Sequence, residues 1–226
     1  MTTFIEAELT CAVCGHTDTH TVLMSTSAFG SPDLDMRPSM PARAALPMYV
    51  QCCQSCGYCA QDVSEAPAGA AAVVAQEAYQ AQLQDARMPY LANLFLCHSM
   101  IQEATEDYAA AGWAAVRAAW ACDDEGEAYA EAAVRCRLRA VALFTEARQR
   151  GQTFVREPGG EEALLVDLLR RSGRFADAEA LIEQGLARQP SELIQRILHF
   201  QRRLCRRRDT NVYTVEEAMG REKGPS

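Results

Sequence analysis

Two short runs, Cys11-Ala-Val-Cys14-Gly15 and Cys53-Gln-Ser-Cys56-Gly57, constrain this chain more than any other feature of its sequence. Each C-x-x-C-G run can wrap a tight turn around one face of a metal ion, so together they offer four thiolates for a tetrahedron. The glycine after each second cysteine permits the positive φ such a turn needs and lets backbone amides point at sulfur. The chemistry expected is one structural zinc per chain, held by Cys11, Cys14, Cys53 and Cys56 with Zn–S near about 2.3 Å. Four cysteines close the coordination shell, whereas a catalytic zinc keeps a position for water, which argues against metal-assisted hydrolysis.

Such paired knuckles predict a zinc-ribbon-like head, with buried free thiols, a disulfide pair or another metal as the alternatives. The knuckles are also similar to those of rubredoxin, and that resemblance implies iron as the lesser alternative. Rubredoxin's usual proline after the first cysteine of the second knuckle is absent here, and the intervening chain is longer. Cys52 adjoins a ligand, and Cys56 to Cys59 is itself a C-x-x-C, but the glycine after Cys56 favours the Cys53 and Cys56 pair. His16 and His20 read as polar residues of a short hairpin, with replacement of a thiolate as the alternative. The extra thiols leave room for a redox switch in which oxidation ejects zinc.

Composition narrows the setting. Ten cysteines would suit a disulfide scaffold in a secreted chain, yet the opening MTTFIEAELTCAV lacks the basic start and apolar run of a signal peptide. A cytoplasmic location is therefore expected, where C-x-x-C spacing favours metal binding over structural bridges. No stretch approaches the roughly 20 apolar residues that span a bilayer, so no membrane partner is expected. A formal net charge of −8 argues against a generic nucleic-acid coat protein.

The sequence changes grammar near Pro67 to Gly69. Residues 1–66 are rich in Cys, Thr, Ser, Pro and Met, and Phe4 to Leu9, Thr19 to Ser25 and Tyr49 to Cys52 read as short strands. Between them, residues 29–47 contain four prolines and are expected to be extended and non-helical. A head of about 60 residues buries too little apolar surface to fold unaided, so metal binding is expected to supply much of its stability. Residues 67–210 are dominated by good helix formers, with apolar positions at three- and four-residue intervals. Helices are expected near 69–86, 89–104, 107–122, 126–150, 160–172, 174–188 and 191–208, with breaks at Pro89, Gly126, Gly151 to Gly160, Gly173 and Pro190. Residues 211–226 are expected to form a C-terminal tail, disordered after Met219.

Ser31-Pro32-Asp33-Leu34-Asp35-Met36-Arg37-Pro38 holds two carboxylates and a guanidinium between prolines. It reads either as a recognition loop, with Asp33, Asp35 and Arg37 facing a partner, or as an aspartate–arginine pairing that fixes a long loop against the helices. Farther on, Ala163 to Pro190 is similar to a tetratricopeptide repeat. Gly173, Phe175, Ala178, Leu181, Gly185 and Pro190 match its turn, aromatic, small, large, small and terminal proline positions, while Glu162 and Val166 depart from it. A weaker version of the pattern runs through Asp107, Tyr108, Ala111, Ala115, Ala118 and Ala119, on a helix where Trp113 and Trp120 are expected in the core. The resemblance implies a mainly α fold, a tetratricopeptide-like helical array behind a small N-terminal β zinc-ribbon-like domain. It also implies a concave groove to which Asp167, Arg170 and Arg171 contribute, without the Lys and Asn set of carboxylate-clamp repeats.

The whole arrangement resembles an uncharacterised bacterial family that joins a cysteine-knuckle head to tetratricopeptide helices. The likeness rests on the knuckles, SPDLDMRP, AAWACDD, RRSGRFADA, and FQRRL followed by RRDTNVYTV. It supports an architecture and brings no activity with it. The expected function is a zinc-binding adaptor or scaffold for a protein or peptide partner. The alternatives are a nucleic-acid-associated factor using the ribbon and the arginines from Arg202 to Arg208, or a redox-responsive zinc protein. That arginine run reads first as the solvated face of a terminal helix. An enzyme is not expected, because no nucleophile–base pair, phosphate loop or open metal motif appears.

Overall fold

The computed structural model describes residues 2–220. It is mainly α, 54% helical, with two small antiparallel two-stranded sheets near the N-terminus. Two compact units form: one joins Pro41–Gln152 to the chain before Ala28, the other joins Ala28–Met40 to the chain after Gln152. This division runs differently from the compositional boundary at Pro67 to Gly69: residues 28–40 of the proline-rich excursion group with the last helices, while the rest of the excursion and the chain on both sides of Pro67 to Gly69 fall in the first unit.

In the first unit β1 (Thr3–Thr10) pairs with β2 (Thr17–Ser25), from Phe4 opposite Leu23 to Thr10 opposite Thr17. A 3-10 helix, Ala42–Tyr49, follows where an extended chain was expected. Pro41 stands at its start, where a missing N–H costs nothing, and Ala42, Ala45 and Leu46 are buried, so burial of one face outweighs the proline content. The strand expected at Tyr49 to Cys52 is thereby shortened to β3 (Gln51–Cys52), which pairs with β4 (Cys59–Ala60). The expected helix 69–86 is two short ones, α1 (Ala70–Val74) and α2 (Glu77–Leu83), separated by an extended Gln76. The break lets Val73, Val74 and Tyr79 all be buried, which overrides local propensity.

Three longer helices complete this unit: α3 (Tyr90–Ala104), α4 (Tyr108–Asp124) and α5 (Ala130–Gln149), all close to expectation. Asp107 caps α4 by accepting a hydrogen bond from the Ala110 amide at 3.0 Å. Phe95, Phe144 and Trp120 are buried, and Trp113, only partly so, meets Phe144 edge to face at 5.6 Å. Gly112 makes room for that ring, since a Cβ there would lie 2.5 Å from it.

The second unit contains α6 (Gly160–Arg171), α7 (Phe175–Ala187), α8 (Glu192–Arg206) and the short α9 (Val215–Ala218). Helices α6 and α7 form the pair expected over Ala163 to Pro190, with Gly173 at φ 73° in the turn. A Cβ on Gly185 would approach Leu198 to 3.0 Å and Glu162 to 3.1 Å, which is why that position is small. The expected tail is ordered through its first part: Thr214 and Glu217 form a capping box on α9, and Thr214 bridges Asp33. The rest, residues 221–226, lies outside the described residues. Among the described residues no helix is long and apolar enough to cross a membrane.

Candidate metal centre

Both knuckles are the tips of hairpins, and their backbones repeat one another. Cys11 N–H donates to the His16 carbonyl at 2.8 Å and Gly15 N–H to the Cys11 carbonyl at 2.8 Å. In the second knuckle Cys53 N–H donates to the Tyr58 carbonyl at 2.9 Å and Gly57 N–H to the Cys53 carbonyl at 2.9 Å. Gly15 and Gly57 adopt φ of 75° and 77°, the left-handed conformation the motif requires. The hairpins are tied where Ala12 N–H donates to the Val63 carbonyl at 2.9 Å, and Val63 N–H in turn donates to the buried Gln51 side chain at 3.0 Å.

This frame gathers the Sγ atoms of Cys11, Cys14, Cys53 and Cys56 within 4.8 Å of one another. The Cys11–Cys56 separation is 3.8 Å and the Cys14–Cys53 separation is 3.5 Å. A tetrahedron with metal–sulfur bonds of about 2.3 Å has sulfur–sulfur edges of about 3.8 Å, whereas a disulfide would need about 2.05 Å. The quartet is therefore spaced for one metal ion, and the cluster could hold an ion such as zinc. Cys11 and Cys53 are buried, Cys56 is half-buried and Cys14 is exposed, so the site sits at the protein surface with its back closed.

Electrostatics divide the ligands. The His16 backbone beside the sulfur, helped by the neighbouring thiols, pulls Cys14 down to about 6. Burial pushes Cys11 and Cys56 upward. A divalent cation changes this balance, because four thiolates confined to a few ångströms repel one another unless a positive charge lies between them.

The sequence reading missed what supports the second knuckle. The Tyr79 hydroxyl, from α2, donates to the Gly57 carbonyl at 3.0 Å and accepts from the Cys59 amide at 3.0 Å. Gln80 donates to the Val74 carbonyl at 2.8 Å, and Leu83 closes on Gly57. A single tyrosine in the Ala- and Gln-rich run EAYQAQL was the available signal. Cys52, Cys59, His16 and His20 all lie outside the quartet. Cys52 stands directly across the β3–β4 ladder from Cys59, whose thiol, followed by burial, drives the Cys52 pKa up.

Of the two readings of the Ser31 to Pro38 loop the structure shows the aspartate–arginine pairing, and the residues expected to line a groove are placed otherwise. Asp33, Asp35, Arg37, Asp167, Arg170 and Arg171 are all buried inside the second unit, so they do not line an open groove. Arg171 pairs with Asp35 at 2.7 Å and Arg170 with Asp167 at 2.7 Å. Arg170 also donates to the Asp209 and Asn211 carbonyls at 2.7 and 2.9 Å. Burial without such partners would cost several kcal/mol per charge, so these groups act as internal ties for the proline-rich loop and the chain after α8. Several arginines of the C-terminal run are also engaged: Arg202 with Glu183 at 2.6 Å, Arg203 over Phe200 and Arg208 over Phe175. No protein-family model matches this chain, nor does any curated protein or solved structure.

Proposed function

We propose that this chain is a non-catalytic, zinc-stapled adaptor whose partner is another protein. The observation behind the zinc is the sulfur quartet, with separations of 3.5 and 3.8 Å at two repeated hairpin tips. Zinc suits four thiolates in a closed tetrahedron better than a hard cation does, and a closed shell has no position for substrate. The site's work is then structural: it joins two hairpins that are individually too small to be stable.

The adaptor reading is supported by the ribbon that the first knuckle terminates. Phe4, Ile5 and Met24 on β1 and β2 are 53%, 49% and 60% exposed, although strands usually bury such residues on at least one face. A two-stranded ribbon anchored by a metal, with exposed apolar side chains at the end away from the knuckle, offers those side chains and free strand edges to a protein surface. We favour protein over nucleic acid because Arg202, Arg203 and Arg208 are engaged within the chain and the net charge is −8. The helices beyond the ribbon are read as a tetratricopeptide-like scaffold.

Metal analysis of the purified full chain should give one zinc per molecule. Cross-linking from position 4 or 24 in cells should capture a defined protein that the Phe4→Ser, Ile5→Ser double variant no longer retains. Metal-free but ordered hairpins would sink the zinc reading, and equal capture by both forms would sink the ribbon as the contact surface.

A further inference from the structure

The first unit contains an open cavity of about 930 Å³, on the side of α3 and α4 that meets the 3-10 helix and the β3–β4 hairpin. Its walls include Val22, Leu23, Met48, Tyr49, Tyr58 and Trp113. The lining is mixed, with Gln51, Gln61 and Gln102 beside those apolar and aromatic side chains, and two of its polar groups are unusual. Arg117, from α4, is half-buried and forms no ion pair among the described residues, its guanidinium lying 5.6 Å from the centre of the Tyr49 ring. Burial pulls its pKa down, and the Tyr49 phenol is the one group that opposes this. His98, from α3, is 8% exposed and lines the same cavity, and its Nδ1 is buried without a hydrogen-bond partner among the described residues.

Both features are costly unless something satisfies them. A guanidinium withdrawn from water normally acquires a carboxylate, and a buried ring nitrogen normally acquires a donor. The second unit shows the usual solution, since Arg170 and Arg171 are each matched to an aspartate there. Arg117 has no such carboxylate among the described residues, only the Tyr49 ring beside it. Burial first, then Arg117, pushes His98 down to about 4, so its ring is neutral at pH 7 and has an acceptor nitrogen to offer.

We propose that this cavity binds a small organic monocarboxylate, the carboxylate pairing with Arg117 and the apolar body lying against Trp113 and the Leu23 side of the wall. The volume falls within the range that takes a ligand of drug-like size. The charge on the ligand follows from the rim. Asp62, Glu65 and Asp107 also line the cavity and are exposed, so one cation faces three carboxylates. That balance opposes phosphate esters and polyanions more strongly than a single negative charge, so the pairing with Arg117 is least offset for a monocarboxylate. A ligand with an N–H or O–H beside its carboxylate would also satisfy His98.

The test uses the full chain and a set of monocarboxylates, phenylacetate and N-acetylphenylalanine among them, each paired with its neutral amide. Ligand-observed NMR and calorimetry should show saturable binding of carboxylates at millimolar or tighter affinity, with the matched amides at least about tenfold weaker. Arg117→Met, which keeps the aliphatic stem and drops the charge, should lose at least about tenfold in carboxylate affinity. Its melting temperature should equal or exceed that of the parent, because an unmatched charge has been removed. A residue that merely held the fold together would lower it. Absence of binding by every carboxylate, equal binding of acids and amides by the parent, or tighter binding of phenyl phosphate than of phenylacetate would each overturn the assignment. The acid–amide comparison is made on the unmodified chain and does not depend on the variant folding.

Discussion

Arg171 and Asp35 stand 136 residues apart in sequence and meet at 2.7 Å in the interior of one compact unit. Asp35 also accepts from the Arg37 amide at 3.1 Å, which closes the turn in which Met36 adopts a left-handed φ of 67°. A loop with two prolines and little apolar content is thus held by charge, and the energetic consequence is asymmetric. Removing Asp35 leaves Arg171 buried without this carboxylate. We expect Asp35→Ala to cost about 3 kcal/mol in chemical denaturation and to abolish amide protection at Leu34 and Met36. The Asp35→Leu, Arg171→Met double variant should recover most of the loss. A single variant within a few tenths of a kcal/mol of the parent would show that the pair is incidental.

The proposed zinc site carries a prediction about extent. Cys11→Ser or Cys56→Ser should reduce zinc from one per chain to none and expose the amides of both knuckles, with α6 to α8 retaining protection because they belong to the other unit. Chelation of the parent should reproduce this. Tyr79→Phe tests the support beneath the site: it leaves the Cys59 amide without its acceptor, and should cost about 2 kcal/mol and weaken zinc about tenfold. Unchanged metal affinity in a competition titration would show that Tyr79 only packs.

The two knuckle glycines separate conformation from crowding. Gly15 and Gly57 share the same left-handed φ, so alanine at either should cost about 1 kcal/mol for the backbone. A Cβ at Gly15 meets nothing within 4 Å, whereas at Gly57 it lies 2.5 Å from Leu83 Cδ2. Gly57→Ala should therefore be worse by about a further 1 kcal/mol, and Leu83→Ala should relieve that excess but not the shared part. Thermal melts of the three variants would distinguish these contributions, and equal penalties for both glycines would refute the crowding argument.

His98 gives the first unit a stability that fades with acid. Its folded pKa is pushed from 6.5 down to about 4 by burial and then by Arg117, so between those values the unfolded chain binds the extra proton. Stability is then fully present above about pH 6.5 and is lost as pH falls toward 4, by about 3 kcal/mol in total and about 1 kcal/mol between pH 7 and pH 5.5. His98→Gln should remove this component, so the parent should lose stability relative to the variant as pH falls through that window. Parallel stability curves would contradict a buried neutral histidine.

Much of this molecule can be read along the chain. The knuckles, their glycines and the boundaries of α3 to α8 follow from short-range rules: a C-x-x-C-G turn needs one positive φ, and an amphipathic helix repeats every 3.6 residues wherever it packs. Tertiary structure decided what such rules do not reach. It turned the prolines of 41–49 into a 3-10 helix because one face is buried, and it split the first expected helix so that Tyr79 could reach the second knuckle. It also set the fate of the charges. Arg170, Arg171 and Asp167 read as groove residues in sequence and are internally paired, Asp35 forms the aspartate–arginine tie that was one reading of its loop, and Arg117, inconspicuous on an alanine-rich helix, has no such match among the described residues. Whether a charged side chain meets water, a counter-charge or an open cavity depends on segments brought together from far along the chain, and local sequence does not encode that burial.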